Sequence, residues 1–187
     1  MKALGKRLLS ACMMVMLVAI MVVPAFAAGE AIDPLTGTIH HYQSCEATGN
    51  TGYLNLYTSS TGGVVRGGTA LRSWTRTTSP DQYFKVGQYS KGIAYLCVQT
   101  APTAGGSQYS LALNRANPSG NAIVWDKDAG ARDSALTISY FNSGDTVILA
   151  LRNYANEKLV CPASGSVANG TQFVFMNANS RIGWRVC

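Results

Sequence analysis

The chain has 187 residues, and its formal net charge is +6 although only 13% of the residues are charged. The basic residues are scattered rather than gathered into a run, which argues against the concentrated basic face that nucleic-acid binding requires. The sequence has only two histidines and no CxxC spacing, which argues against a zinc site. We therefore expect no nucleic-acid partner, no metal and no cofactor.

The first 27 residues are predicted to be a secretory signal peptide. Three basic residues precede an apolar run from 8 to 23, and Ala25 and Ala27 supply the small side chains that a signal peptidase reads. The apolar run is shorter than the ~20 residues that a membrane-spanning helix needs. We expect cleavage after Ala27, secretion of the mature chain and no membrane span in it. Loss of the three basic residues lowers the net charge from +6 to +3.

Beyond the leader, residues 28–39 are predicted to be a lead-in and residues 40–187 a single all-β domain. No segment of helical length has the 3.6-residue period of an amphipathic helix. Short β-branched and aromatic runs alternate instead with turns rich in Gly, Asn, Asp and Pro. In chain order these runs are 53–57, 93–98, 109–113, 136–141, 147–151 and 171–176.

The domain contains a threefold internal repeat, with predicted bounds near 40–92, 93–144 and 145–187. Similar stretches begin at Gly68, Gly120 and Gly170, at offsets of 52 and 50 residues. In this register three sets of positions coincide: Leu71, Ile123 and Phe173; Gln82, Ser134 and Trp184; Phe84, Leu136 and Val186. One copy cannot bury its apolar face, whereas three copies around an axis share a core. An ordinary β-sandwich whose hairpins look alike is the alternative.

The first repeat has the pattern Gly-Thr-x-apolar-x-x-Trp, then a polar loop, then Asp-Gln-x-aromatic, and this pattern resembles the repeat signature of ricin-type β-trefoil lectin domains. The residues that carry the likeness are Gly68, Thr69, Leu71, Trp74, Asp81, Gln82 and Phe84. The second repeat is similar to trefoil repeats of secreted proteins from Gram-positive bacteria. This resemblance covers roughly residues 40–187, and it implies a single β-trefoil and carbohydrate binding. The family's Gln-x-Trp is Gln82-Tyr83-Phe84 here, and the later repeats keep only its apolar position.

Four cysteines remain once Cys12 leaves with the leader, and an even number in an exported chain predicts two disulfides. The sequence alone leaves three pairings open. The trefoil resemblance implies that the chain ends meet, which favours Cys45–Cys187 and leaves Cys97–Cys161 as the second bond.

A sugar site needs an aromatic face and polar groups that bind vicinal hydroxyls. The resemblance implies that Trp74 is the platform of the first repeat, with Asp81 and Gln82 as hydroxyl partners and Arg72 alongside. In the family this glutamine often ties a loop to the backbone, which is the structural alternative for Gln82. A place in the core is the alternative for Trp74. The family's principal acidic sugar ligand lies between the first strand and the glycine, where residues 58–67 contain no carboxylate.

The later repeats offer fewer suitable groups. The candidates in the second repeat are Asn114, Trp125, Asp126 and Asp133. The glycine alignment places Trp125 one residue before the position of Trp74, so strand alternation predicts that Trp125 faces the core. The third repeat has Met176 and Gly183 where Trp74 and Asp81 stand, and it is the weakest candidate.

No HExxH, GxSxG or SxxK motif is present, and His40 and His41 are the only histidines that could act as a base. We therefore expect no enzymatic activity. The leading hypothesis is a secreted module that recognises cell-surface or cell-wall glycans through shallow sites in its repeats. One alternative is a protein-binding β-trefoil such as a protease inhibitor, which would act through the loop at 100–108 or 115–121. Another is a structural envelope protein that binds nothing.

Overall fold

The computed structural model describes eight segments of the chain: residues 36–59, 63–90, 92–99, 109–127, 131–154, 157–161, 167–178 and 183–187. The predicted signal peptide lies outside them and stays a prediction. Within these segments, no helix is both long enough and apolar enough to cross a membrane.

The described segments are built from short strands and two 3₁₀ turns, Pro80–Gln82 and Asn142–Gly144. The strands are β1 (Ile39–His40), β2 (Tyr42–Ser44), β3 (Tyr53–Tyr57), β4 (Ala70–Trp74), β5 (Phe84–Ser90), β6 (Ile93–Val98), β7 (Leu111–Arg115), β8 (Ala122–Asp126), β9 (Leu136–Phe141), β10 (Thr146–Leu151), β11 (Glu157–Val160), β12 (Val174–Asn177) and β13 (Trp184–Val186). Each of the six runs predicted from the sequence overlaps one of these strands, so the all-β prediction is confirmed.

Half of the strands close into a barrel. β5 pairs with β1 and β6, β6 with β9, β9 with β10, β10 with β13, and β13 with β2. β1 and β2 are two parts of one bent segment, and His41 lies between them. His41 and Cys187 exchange both of their backbone hydrogen bonds, each at 3.0 Å. The first and last strands therefore complete a continuous ring of pairing, which leaves the barrel closed.

Three hairpins, β3–β4, β7–β8 and β11–β12, cap one end of the barrel. They meet around an axis, where Phe173 N–H donates to the Leu71 carbonyl at 3.1 Å and Ala122 N–H donates to the Phe173 carbonyl at 2.9 Å. The amide of Gln172 reaches the carbonyls of these same three residues at 2.8, 3.0 and 3.1 Å. A closed barrel capped by three hairpins is a β-trefoil, which confirms the predicted fold over the sandwich.

The core follows from strand alternation. In β10, Val147, Leu149 and Leu151 are buried, and the residues between them are only half-buried. Burying one such side chain contributes about 1.5–3 kcal/mol. The larger side chains that fill the centre are Tyr42, Leu54, Leu56, Leu71, Phe84, Leu96, Leu111, Leu113, Leu136, Phe173, Phe175 and Trp184.

The second strands of the three hairpins repeat at intervals of 51 residues, which differs by one from the glycine alignment. Three equivalent hydrogen bonds link successive hairpins: Ser73 N–H to the Thr171 carbonyl, Val124 N–H to the Thr69 carbonyl, and Phe175 N–H to the Gly120 carbonyl. Gly68 and Gly170 hold positive φ at the equivalent place, but in the second repeat Gly120, one residue later, takes that role. Aligning the glycines therefore misplaced β8 by one residue.

This shift corrects the prediction for Trp125. Trp74 pairs with Tyr53, Trp125 with Ala112, and Met176 with Lys158, so Trp74, Trp125 and Met176 occupy one position in three hairpins. Trp125 is 51% exposed, and the prediction that it faces the core is wrong.

Neither predicted disulfide is present, although all four cysteines lie in the described segments. Cys45 N–H donates to the Gly183 carbonyl, whereas Cys187 pairs with His41 at the other end of the β2–β13 ladder. Four residue steps of ~3.3 Å separate the two Cα atoms by roughly 13 Å. A disulfide requires less than about 7 Å, so the strand register prevents the Cys45–Cys187 bond.

The second predicted bond fails because its cysteines lie on different faces. Cys97 alternates along β6 with Leu96 and Val98, which belong to the core, and it is buried on the outer face. Cys161 belongs to the core itself. The Cys97–Cys161 prediction is therefore also wrong.

Candidate functional site

A pocket of about 250 Å³ opens between the β3–β4 hairpin and the loop that follows it. Its lining combines two aromatic rings, an amide, a carboxylate and hydroxyl groups, supplied chiefly by Asn55, Tyr57, Trp74, Thr77, Ser79 and Asp81. Trp74 and Asp81, two of the residues predicted for the first repeat, are therefore brought together in an open depression.

The hairpin wall of the pocket follows from strand pairing. Residues 53, 55 and 57 of β3 alternate with the core residues Leu54 and Leu56, so their side chains share the outer face. Trp74 lies on this face because it pairs with Tyr53 in the adjacent strand. The Tyr57 and Trp74 rings are 6.4 Å apart between centroids, with their planes inclined at 48°. They form two sides of one apolar corner.

The opposite wall is a loop that Gln82 holds in place. Its side chain is fully buried, donates from Nε2 to the Thr75 carbonyl at 2.8 Å and accepts from Thr77 N–H at 2.8 Å. Both bonds go to the backbone of the pocket's own loop. The geometry therefore supports the structural alternative, in which Gln82 ties the loop to the backbone. Its side chain is not available to a ligand.

The loop ends in a 3₁₀ turn that positions Asp81. Ser79 caps the turn by accepting from Asp81 N–H at 3.4 Å, and Pro80 opens it with a backbone angle suited to a first turn. Tyr83 braces the loop by donating its hydroxyl to the Thr78 carbonyl at 3.1 Å. Among the described residues, none donates a hydrogen bond to the Asp81 carboxylate. The pocket therefore presents a carboxylate able to accept from a ligand.

Arg72 lies beside the pocket rather than in its lining. Its guanidinium stacks over the Tyr57 ring at 4.2 Å from the centroid, and Nη1 donates to the Gly170 carbonyl at 3.4 Å. Nε is buried and has no hydrogen-bond partner among the described residues. We assign Arg72 to supporting Tyr57 from behind.

The second repeat has the same scaffold but lacks the free groups. Asn114 is half-buried and occupies the place of Asn55, because each lies two residues beyond the ladder partner of the repeat's tryptophan. Trp125 packs one face against the backbone at Gly67 and exposes the rest. Ala116 replaces Tyr57, so the second ring of the corner is missing.

The carboxylates of this repeat do not join Trp125. Asp126 is exposed, but strand alternation puts it on the face of β8 opposite to Trp125. Asp133 accepts hydrogen bonds from Asn117 at 3.1 Å and from the Tyr154 hydroxyl. Two of the predicted site residues are thus unavailable to a ligand resting on Trp125.

Tyr154 is the centre of a network that closes this part of the second repeat. Its ring is sandwiched between Arg115 at 4.6 Å and Arg132 at 4.4 Å. Arg115 also forms a 2.6 Å salt bridge with Glu157, and this hydrogen bond raises the pKa of Arg115. The network ties the β7–β8 hairpin to the third repeat, so its polar groups are committed to structure.

The third repeat offers neither the tryptophan nor the amide of the first-repeat pocket. Met176 is 45% exposed in the place of Trp74, and Val160 stands where Asn55 does. In the described part of the chain, no three His, Cys, Asp or Glu side chains gather to hold a metal.

Sequence reasoning missed Asn55, Tyr57, Thr77 and Ser79. The alternation of Tyr53, Asn55 and Tyr57 in one strand was the pattern that could have found the first two. It needed the β3–β4 register, which brings that face beside Trp74. Thr77 and Ser79 depended on the course of the loop that Gln82 fixes.

No protein-family model matches the chain, and no curated protein matches it. Solved structures do match. ThreeFoil, a designed 3-fold symmetric protein, aligns with a TM-score of 0.58 and 14% identity over 79% of this chain and 96% of its own. A mosquitocidal holotoxin aligns with a TM-score of 0.62 and 15% identity, over 80% of this chain but only 17% of its own.

A third structure, the Haemophilus ducreyi cytolethal distending toxin, aligns with a TM-score of 0.53 and 8% identity. The match covers 83% of this chain and 86% of that chain. At these identities the three likenesses establish the fold alone. The chain is similar to a designed threefold protein and to parts of two toxins, and its fold is a β-trefoil.

Proposed function

We propose that the protein binds glycans through the pocket of its first repeat. The observation that carries this proposal is the joint presence of Trp74 and Asp81 in one open depression, with Tyr57 and Asn55 beside them. An aromatic corner suits the apolar face of a pyranose ring, because contact area is gained there without burying hydroxyls. The carboxylate and hydroxyl groups opposite it can bind vicinal sugar hydroxyls through short, charge-assisted hydrogen bonds.

Each group has a distinct role in the proposed complex. Trp74 and Tyr57 provide stacking surface, and Asp81 accepts from sugar hydroxyls. Asn55 uses Nδ2 to donate to the Leu56 carbonyl at 2.8 Å, so its Oδ1 is the atom offered to the ligand. One shallow, partly hydrated site of this kind binds with a dissociation constant on the order of 1 mM, ~4 kcal/mol. Tight attachment then needs a multivalent surface such as a cell wall.

The leader predicted at residues 1–27 supports an extracellular setting, where such glycans occur. We propose that the secreted chain acts as a binding module on cell-surface or cell-wall polysaccharide, and that it has no catalytic activity of its own.

A glycan array and a cell-wall pull-down test the proposal, with two variants in parallel. Trp74→Ala removes the platform of the first repeat, and Trp125→Ala removes the equivalent tryptophan of the second. We expect Trp74→Ala to abolish binding and Trp125→Ala to retain it. Loss in Trp125→Ala alone, or no binding by the folded wild type across a broad panel, would overturn the proposal.

Asp81→Asn refines the test, because it keeps the shape of the side chain and removes the charge. We expect about tenfold weaker binding from the loss of charge-assisted hydrogen bonds. Asp126→Asn is the matched control, because Asp126 lies on the face of β8 opposite to Trp125. This variant should bind like the wild type.

A further inference from the structure

A second surface, away from the first-repeat pocket, combines aromatic rings with positive charge. It lies on the outer face of the β5–β6 pair and consists of Lys85, Tyr95, Tyr109 and Lys127; we call it the lysine–tyrosine face. The Lys85 ammonium lies 4.8 Å from the Tyr109 ring centroid, and the Lys127 ammonium lies 5.3 Å from that of Tyr95.

Tyr95 lies flat against the sheet because Gly87 leaves room for it. Gly87 is its partner across the β5–β6 ladder, and a Cβ at that position would stand 2.1 Å from Cε2 of the Tyr95 ring. Any residue with a side chain would push the ring outward. The glycine therefore creates a tyrosine platform that is parallel to the surface.

The two lysines flank the same spot. Lys85 pairs with Cys97 across the ladder, and burial raises the pKa of the Cys97 thiol to about 11 while Lys127 and Lys85 both lower it. Lys127 N–H donates to the Ser110 carbonyl at 2.7 Å, next to Tyr109, whose ring lies below the Lys85 ammonium, so the two lysines are neighbours on the surface. Within the described chain the salt bridge is Arg115–Glu157, so no described carboxylate pairs with either lysine.

We propose that the lysine–tyrosine face binds an acidic sugar unit of a polysaccharide, independently of the first-repeat pocket. The Tyr95 ring supplies a platform for the pyranose, and Lys85 and Lys127 bind its carboxylate or sulfate. Lysine suits this task as a mobile point charge whose three donors adapt to either anion.

An acidic peptide is the competing occupant, and the sheet gives it little support. Peptides commonly dock by adding a strand to an open edge. Here β5 is paired on both sides, by β1 and β6, and β6 is paired with β5, β7 and β9. A flat tyrosine ring with a lysine on each side, on strands that already have neighbours, matches a sugar face better than an extended peptide.

The experiment measures binding of the purified protein to three immobilised polysaccharides: polygalacturonate, dextran sulfate and neutral dextran. Poly-glutamate serves as the peptide arm. Lys85→Gln/Lys127→Gln is compared with Arg66→Gln/Arg152→Gln, which removes the same charge from two exposed arginines outside the face. We expect Lys85→Gln/Lys127→Gln to bind an acidic polysaccharide about tenfold or more weakly than the wild type. The affinity of Arg66→Gln/Arg152→Gln should change little.

The two acidic polysaccharides decide whether carboxylate or sulfate is preferred. If both double variants lose the same affinity, the loss comes from the change in net charge alone, and the proposal is overturned. Binding to poly-glutamate but to neither acidic polysaccharide would assign the face to a protein partner. Trp74→Ala should leave this binding intact even where it abolishes the first-repeat interaction, so the two proposals fail or succeed separately.

Discussion

Trp74 and Trp125 stand at the same ladder position of successive hairpins, 51 residues apart, yet only Trp74 faces a second ring and a carboxylate. The difference comes from their neighbours. Tyr57 and Asp81 complete the first site, whereas Ala116 leaves the second without its corner and Asp133 is bound by Tyr154. A threefold backbone thus presents the complete set of aromatic and acidic groups in the first repeat and not in the second.

Gln82 is expected to matter for stability rather than for ligand contact. Gln82→Ala leaves the Thr75 carbonyl and the Thr77 N–H without their partner, and we expect a loss of about 2–4 kcal/mol in the free energy of unfolding. Urea titration followed by intrinsic fluorescence measures it. Gln82→Glu keeps the hydrogen-bond acceptor but loses the donor. Its free energy of unfolding should lie between those of the wild type and Gln82→Ala. A wild-type unfolding curve for Gln82→Ala would contradict this role.

Tyr154 is expected to stabilise the junction between the second and third repeats. Tyr154→Phe keeps the ring between Arg115 and Arg132 but removes the hydroxyl bound to Asp133, and should cost about 1 kcal/mol of unfolding free energy. Thermal unfolding checks this value. Tyr89→Phe, at a tyrosine that is 60% exposed, is the control and should have no effect.

Stability is expected to fall as the solution becomes acidic, because burial lowers the pKa of His41 in the folded protein, and Arg76 and His40 lower it further. Burial also lowers the pKa of His40. The unfolded chain, with an ordinary histidine pKa near 6.5, then binds more protons than the folded chain. The folded state therefore keeps its full stability above that pH and loses stability below it.

Urea unfolding at pH 7.5 and pH 5.5 measures this loss. His41→Gln removes one of the two histidines with a lowered pKa and should reduce the dependence of stability on pH between these two values. A wild-type protein that is equally stable at both, or more stable at pH 5.5, would contradict the assignment.

The cysteines are expected to differ in reactivity. Cys45 and Cys187 are exposed, so both should react with an aromatic disulfide reagent in the native protein. Cys97 is buried, its pKa is raised to about 11, and it should react only on unfolding. Mass spectrometry of the labelled protein locates the modified residues. Recovery of a Cys45–Cys187 bridge from non-reduced protein would contradict the β2–β13 register described here.

More of the fold than of the candidate site could be predicted from the sequence. Alternating runs and repeated glycines predicted a trefoil because strand period and turn chemistry are local properties. Trp125 was misjudged because Gly120 lies one residue closer to it than Gly68 lies to Trp74, and a shift of one residue exchanges the two faces of a strand. Tyr57 and Asn55 were missed because their neighbour Trp74 lies on another strand, and only the pairing register brings them together. Both disulfide predictions failed because sequence spacing does not reveal strand register, which separates Cys45 from Cys187, or the face of a sheet, which separates Cys97 from Cys161.

Removal of β13 would open the barrel, because this strand joins β10 to the bent β1–β2 segment. β13 contains only three residues, yet it pairs with β10 on one side and β2 on the other. A stop codon or a proteolytic cut just before Trp184 would remove about 2% of the chain. It would also leave two strands with exposed hydrogen-bonding edges, which are templates for aggregation. Closure of the barrel therefore depends on residues 184–187, a very small part of the domain.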